Sequence, residues 1–211
     1  MGEAVASTEP TSRQSFIEDA RRTQIVGAAI EVIADVGYNN ATFVRIAERA
    51  GISPALISYH FGSKDHLMAQ VSEHVSASID EAIERAVEGA PSYREALRRM
   101  IETFVRYFGH HPAETTAMGE IQRQELIGDG TEGRASERAQ WVDELETMFR
   151  EGQAEGEWWG FNPRAMAVTL LASMQATPAE LHGRSVSEVD AYATDLADLF
   201  DAATRKRRGR R

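Results

Sequence analysis

The chain has 211 residues, of which 42% are hydrophobic and 27% are charged, and its formal net charge is −10. This composition is typical of a water-soluble globular protein of one or two domains, large enough to bury a core. There is no cysteine, which excludes disulfides and thiolate metal sites, and no apolar run approaches the roughly 20 residues of a membrane span.

The N-terminal region is predicted to be an arm followed by a helix. Residues 1–14 are polar and rich in small side chains, which favours a disordered arm. Ile25, Ala29, Val32 and Ile33 then recur at helical spacing. Gly37 is predicted to end this first helix.

The segment 41–64 is the most informative part of the chain, and it begins with a short predicted helix. Ile46 and Ala50 lie four residues apart, on one helical face. Ala47 is small enough for a second helix to cross close above it. Gly51 can take the left-handed conformation that ends a helix and turns the chain.

A second short helix is predicted directly after that turn. Ser53 followed by Pro54 is a strong helix start, because a capping hydroxyl precedes a residue whose φ is already helical. Ile57 and Phe61 would bury its inner face. The residues left outward are small, hydroxylic or aromatic, which suits insertion into the major groove of DNA: Pro54, Ala55, Ser58 and Tyr59.

This segment resembles the DNA-binding domain of the TetR family of transcriptional regulators. The residues that carry the resemblance are Thr42, Ile46-Ala47, Gly51-Ile52-Ser53 and Tyr59-His60-Phe61-Gly62-Ser63-Lys64. The chain departs from many relatives in having Ser58 where they carry tyrosine, so Ser58 and Tyr59 can divide the DNA contacts differently.

The resemblance implies two classes of DNA contact. Side chains expected at phosphates are Thr42, Ser58, His60 and Lys64. Side chains expected near base edges are Arg45, Ser53, Pro54, Ala55 and Tyr59. The alternative for His60 is a histidine satisfied within the core.

The charge distribution is compatible with DNA binding although the whole chain is acidic. Within residues 41–64, Arg45, Arg49 and Lys64 against Glu48 give a local balance of +2. Local charge at the phosphates governs binding. The tail 204–211 carries +6, reads as disordered, and could be a solvated extension or a DNA contact.

The remainder of the chain is predicted to be helical. A long helix starts after Ser63 and ends near Gly89. Capping boxes begin at Ser92 and Ser185, while Pro178 is expected to kink or end its helix. The prediction is therefore an all-α protein of about nine helices, with a helix-turn-helix domain at 15–67 and an effector and dimerisation domain at 68–203.

Two sites are expected in the second domain by the same resemblance. A small hydrophobic effector would be bound by aromatic, Met and polar side chains, although helical spacing cannot distinguish them from core: Phe104, Tyr107, Phe108, Met118, Gln122, Trp141, Met148 and Phe149. A homodimer would form through the last two helices, although a monomer core gives the same pattern: Ala167, Leu170, Leu171, Met174, Tyr192, Leu196 and Leu199.

Several other motifs are interpreted as structural. The glycine-rich segment 128–133 matches a dinucleotide fingerprint but follows a helix instead of a strand, and we interpret it as a loop. His110-His111 is interpreted as a turn without metal, and Trp158-Trp159 as packing. No catalytic constellation or cofactor site is recognised.

The function expected from the sequence is therefore that of a cytoplasmic, ligand-released repressor which binds a double-stranded, palindromic DNA operator as a homodimer. It would not contact a membrane. The alternatives are a non-specific architectural DNA binder and, less favoured, an enzyme with a nucleotide site at the glycine-rich loop.

Overall fold

The computed structural model describes residues 9–125, 132–181 and 183–206. Within these ranges the chain forms nine α-helices and one 3-10 helix, Tyr38–Asn40. The α-helices are α1 (Glu9–Val36), α2 (Phe43–Ala50), α3 (Pro54–Phe61), α4 (Lys64–Val87), α5 (Tyr93–His110), α6 (Pro112–Glu125), α7 (Glu132–Ala154), α8 (Pro163–Leu181) and α9 (Val186–Thr204). No strand occurs in these ranges, so the all-α prediction is confirmed.

The chain divides into two compact units inside α4. The N-terminal unit comprises Met1–His74 and the C-terminal unit Val75–Arg211. The sequence placed this boundary between residues 67 and 68, where the helix-turn-helix motif ends. Both positions lie within α4, which is one continuous helix.

The N-terminal unit is built on the apolar stripe of α1. Ile25, Ala29 and Ile33 are fully buried, and α2 packs against this helix. The helix begins at Glu9, so the predicted disordered arm is wrong for residues 9–14. Residues 1–8 lie outside the described part of the chain.

In the C-terminal unit, α5 packs on α9 and on α8, while α7 packs on α8. Three arginines of α5 also pair with aspartates of α9. Arg94 donates to Asp201 at 2.7 Å, Arg106 donates to Asp190 at 3.0 Å, and Arg98 pairs with Asp198. The two helices are therefore joined by apolar packing and by a row of charge-assisted hydrogen bonds.

The connection between α7 and α8 packs against the C-terminal end of α9. Trp158 is 2% exposed and contacts Phe149, with ring centroids 5.2 Å apart. The indole N–H of Trp159 donates to the Ala203 carbonyl at 2.7 Å. The interpretation of this tryptophan pair as packing is therefore confirmed.

The structure differs from the sequence predictions near the C-terminal ends of α8 and α9. The helix α8 continues through Pro178 to Leu181, so this proline does not end it. At the C-terminus, Thr204 is fully buried and Arg205 forms an isolated bridge with Trp158. The predicted disordered tail is therefore wrong for residues 204–206, and residues 207–211 lie outside the described part.

Candidate nucleic-acid interface

The first helix of the helix-turn-helix, α2, has defined signals at both ends. The Thr42 hydroxyl accepts a hydrogen bond from the Arg45 N–H at 3.4 Å and caps the helix. Gly51 follows the helix with φ of 67°, in the left-handed region. Ile46 and Ala47 are buried between these ends. The predicted helix and turn are present, and the capping role of Thr42 is added by the structure.

The second helix, α3, is also formed as predicted. The Ser53 hydroxyl accepts from the Leu56 N–H at 3.3 Å, and Pro54 is the first helical residue. Ile57 and Phe61 are buried. The residues left exposed on this helix are Pro54, Ala55, Ser58 and Tyr59. This surface is the one that the sequence assigned to the DNA major groove.

Contacts from α1 fix the position of α2. Arg49 of α2 pairs with Glu31 at 2.8 Å and with Asp35 at 2.5 Å. The hydrogen bonds that Arg49 donates to Asp35 and, to a smaller extent, to Glu31 raise the pKa of its guanidinium. The Gln24 amide donates to the Ala50 carbonyl at 2.7 Å, at the end of α2. Arg49 is therefore bound to α1, and it adds little of the local positive charge that the sequence suggested.

Lys64 has partners inside the N-terminal unit. Its ammonium donates to the Tyr38 carbonyl at 2.5 Å and lies 4.4 Å from the centre of the Tyr38 ring. Burial lowers the pKa of this amine. The sequence predicted a phosphate contact for Lys64 and missed this internal one, because Tyr38 lies 26 residues away along the chain.

Arg45 and Val44 occupy different sides of α2. Arg45 lines a surface depression with Val32, Asp35 and Arg49, on the side that faces α1. Val44 is 54% exposed. Sequence analysis did not select Val44, which lies one turn before the buried Ala47.

The other predicted DNA contacts are compatible with their exposure. Thr42, Ser53 and Ser58 are exposed, and His60 is half-buried. The His60 ring contacts Tyr59 edge-on, with centroids 5.1 Å apart. The capping hydroxyls of Thr42 and Ser53 still have a hydrogen to donate. These contacts stay predictions.

Four of the residues predicted to bind an effector, Phe104, Tyr107, Phe108 and Phe149, lie in two aromatic clusters of the C-terminal unit. Phe104 and Phe108 of α5 are in ring contact, with centroids 5.0 Å apart. Phe149 is fully buried and contacts Phe161 of the α7–α8 connection, with centroids 5.5 Å apart. Phe108 and Met118 are buried as well, whereas Tyr107, Gln122, Trp141 and Met148 are half-buried. Burial gives several of them a core role, so the effector site stays a prediction.

An open depression of about 660 Å³ runs along α7. Its lining includes Met148 together with three carboxylates, Asp143, Glu144 and Glu151. On α4, one carboxylate oxygen of Asp80 is buried without a hydrogen-bond partner. Burial, and after it the charges of Glu144 and Glu84, raise the pKa of Asp80 to about 6. This side of the C-terminal unit is therefore more acidic than the predicted hydrophobic site.

The structure corrects the predicted dimer residues. Most are buried inside the chain itself, and the prediction is wrong for these five: Ala167, Leu170, Leu171, Met174 and Leu196. Leu199 is 62% exposed and Tyr192 is half-buried. A side chain enclosed by its own protomer cannot provide a contact surface for a second copy. On α8 the sequence pattern identified the buried stripe instead of the outer one.

The remaining motifs give no metal or membrane site. Within the described ranges, no three His, Cys, Asp or Glu side chains are grouped closely enough to hold a metal ion. No helix of those ranges is long and apolar enough to cross a membrane. Most of the glycine-rich segment 128–133 lies outside the described residues, and its last two residues begin α7.

The class of protein follows from the N-terminal unit, which contains a complete helix-turn-helix with an exposed second helix. Residues 25–71 match the model of the family described as bacterial regulatory proteins, tetR family. The helix-turn-helix unit is therefore similar to that of the TetR family of transcriptional regulators. Members of this family are not enzymes, which removes the enzyme alternative.

Relatives and solved structures agree with this assignment. The HTH-type transcriptional regulator BetI 1 of Chromohalobacter salexigens is 38% identical over 41% of this chain and 43% of its own length. The transcriptional repressor NicS of Pseudomonas putida is 27% identical over 71% of each chain. The chain thus spans less than half of the first relative.

One solved structure extends the similarity of fold to the C-terminal unit. A transcriptional regulator from Saccharomonospora viridis, solved in complex with choline, matches with a TM-score of 0.75 and 22% identity. The match covers 90% of this chain and all of that one.

Proposed function

We propose that this protein is a sequence-specific DNA-binding regulator, and most simply a repressor, that binds a palindromic operator as a homodimer. The observation that carries the proposal is the exposed face of α3. The helix is capped, its inner side is buried, and its outward side chains are uncharged. Such a surface can enter the major groove while α2 crosses the backbone. The protein would bind this double-stranded operator in the cytoplasm.

The homodimer is proposed to form through the outer faces of α8 and α9. The outer face of α8 is exposed and made of small or apolar residues, namely Ala165, Val168, Ala172, Ala176 and Ala179. On α9, Leu199 is an exposed large hydrophobic residue. Small side chains let helices approach closely, so a second copy could complete a four-helix arrangement.

The effector is proposed to carry a positive charge next to an apolar part. The depression along α7 is lined by carboxylates, and Glu144 in that lining helps to raise the pKa of the half-buried Asp80. An unpartnered carboxylate oxygen is costly to bury, and a bound cation would offset that cost. The choline complex of the Saccharomonospora viridis regulator supports a quaternary ammonium group as the first candidate.

Release from DNA would involve α4, because this helix contributes to both compact units. A ligand that displaces its C-terminal part would change the separation of the two recognition helices in the dimer. That separation must match about one turn of DNA, roughly 34–36 Å, or a multiple. The ligand acts only if it binds one arrangement better than the other.

The effector proposal is tested by titrating the operator complex with choline and with its neutral isostere dimethylbutanol. We expect choline to lower operator affinity, by a coupling of about 1–3 kcal/mol, and the isostere to leave it unchanged. Asp80→Asn should abolish the choline response while DNA binding stays intact. If the neutral compound releases DNA as well as choline does, the hydrophobic effector expected from the sequence is correct instead.

A further inference from the structure

The two neighbouring residues Val44 and Arg45 lie on different sides of α2. Val44 is one turn before Ala47, which is buried and whose carbonyl accepts from the Ile52 N–H at 3.0 Å in the turn leading to α3. Residues three apart on a helix are neighbours. Val44 therefore lies on the flank of α2 that is turned away from Arg49 and its partners in α1.

Arg45 is one turn before Arg49 on the other side. Arg49 is held by Glu31 and Asp35 of α1, and Arg45 shares a depression with Asp35. A guanidinium on this side has a carboxylate of its own unit close by. The position of Arg45 therefore favours a contact along the phosphate backbone over a bidentate contact with guanine.

The surface left for base contacts is apolar and hydroxylic. Val44 is 54% and Tyr59 77% exposed, and both are large hydrophobic side chains of the N-terminal unit. Pro54, Ala55 and Ser58 are the other exposed residues of α3. None of these five side chains is charged.

The chemistry of the major groove indicates which base feature suits this surface. The 5-methyl group of thymine is the apolar group that a base pair presents there, and it is contacted by apolar side chains. We propose that Val44 is a specificity-determining residue that reads thymine 5-methyl groups, beside Ala55 and Tyr59 of α3. This inference rests on the proposed function, because it assigns the base class that the DNA-binding unit prefers.

The first part of the test changes the DNA. The full-length protein selects a duplex from a random pool, and single functional groups of its bases are then removed one at a time. Each thymine is replaced in turn by deoxyuridine, which removes only the methyl group. Burial of one methyl group predicts about a fourfold loss of affinity at each contacted thymine. Replacing each guanine by 7-deazaguanine, which removes the N7 acceptor, should have no effect that depends on Arg45.

The protein side of the test is Val44→Ala combined with the same duplexes. Alanine is the best helix former and Val44 is exposed, so the variant should fold at least as well as the parent protein. We expect Val44→Ala to bind the thymine duplex several-fold more weakly. At one or two thymine positions, the variant should no longer distinguish thymine from deoxyuridine. Val186→Ala, an equally exposed valine at the start of α9, is the matched control and should behave like the parent protein.

The outcomes separate this inference from the proposed function. If the losses from deoxyuridine and from Val44→Ala simply add at every position, Val44 does not read a methyl group and the inference is wrong. If 7-deazaguanine weakens binding by the parent protein but not by Arg45→Ala, then Arg45 contacts guanine and the inference about Val44 is wrong. If the protein selects no sequence from the pool, the proposed function itself fails.

Discussion

Lys64 is a half-buried cation held by a carbonyl and an aromatic ring of its own unit. Its bond to the Tyr38 carbonyl joins the first residue of α4 to the 3-10 helix that precedes α2. The Tyr38 ring adds a cation–π contact. Such a residue holds α4 in place relative to the recognition helix, whether or not it also reaches phosphate.

We predict that Lys64→Ala lowers the free energy of unfolding by about 1–2 kcal/mol, because a part-buried charge-assisted hydrogen bond and a cation–π contact are lost. Urea denaturation of the two proteins measures this difference. Operator affinity should fall equally for all sequences, and the salt dependence of binding should keep its slope. A slope reduced by about one would instead show that Lys64 contacts phosphate, as the sequence suggested.

We predict that Asp80 lowers the free energy of unfolding at neutral pH while it contributes to the proposed effector site. Its pKa is raised to about 6, mainly by burial, so the folded protein binds this proton more tightly than the unfolded chain does. Stability should therefore fall as pH rises from about 4 to 6 and remain lower above that range.

Asp80→Asn should remove this pH-dependent loss. At about pH 7.5 we expect the variant to be more stable by about 1–2 kcal/mol, less than the full pKa shift would give because solvent screens a half-buried carboxylate. The gain should shrink toward pH 4. Denaturation at both pH values checks this, and an equal difference at both would mean that Asp80 does not titrate as described.

Residue-scale features were predictable where they are local. The cap Ser53 and the turn at Gly51 depend on neighbours within four residues, and both were identified from the sequence. The partners of Arg49 and Lys64 lie 14 to 26 residues away. Composition and spacing do not encode such contacts, so the charge assigned to the DNA-binding surface was overestimated.

At the scale of elements, a helix of the C-terminal unit has one face toward its own core and another toward a proposed partner. On α8 the buried stripe contains Ala167, Leu170 and Met174, and the outer stripe contains Val168 and Ala172. Both stripes have helical spacing and both are apolar or small. The sequence predicted the helix correctly, but it could not assign the faces because that depends on how α5, α6 and α7 cover it.

The outer stripe gives a direct test of the dimer. Val168→Glu and Ala172→Glu place a carboxylate where a second copy should pack, without touching the protomer core. We expect each variant to be folded by circular dichroism, monomeric by analytical ultracentrifugation, and at least tenfold weaker on a palindromic operator. Ile17→Glu, at an exposed position of α1, should remain dimeric. If the α8 variants remain dimers, the interface lies elsewhere.

At the scale of the whole molecule, the C-terminal end is part of the packed structure. The Thr204 hydroxyl donates to the Phe200 carbonyl at 2.7 Å, and the Thr204 carbonyl accepts from the Trp159 N–H at 3.2 Å. A truncation that removes Thr204 together with the basic tail therefore tests two things at once.

Two truncations separate the packed end from the tail. A chain ending at Lys206 keeps these bonds, whereas a chain ending at Ala203 loses them. We expect the shorter chain to be less stable than the longer one by about 1–3 kcal/mol, since buried groups lose their partners. We expect the chain ending at Lys206 to keep nearly the full operator affinity. A tenfold loss of specific affinity in that chain would show that the tail reaches DNA.

The central claim is that the exposed face of α3 gives a dimer its preference for one palindromic DNA sequence. The most direct measurement compares binding of a selected operator and of its scrambled counterpart by the parent protein and by Tyr59→Ala. Tyr59 is 77% exposed, so the substitution leaves the core intact. We expect one dimer per operator, a strong preference over the scrambled duplex, and a loss of about 1–3 kcal/mol for Tyr59→Ala on the operator alone. Equal affinity of the parent protein for both duplexes, or an unchanged preference in Tyr59→Ala, would contradict the account.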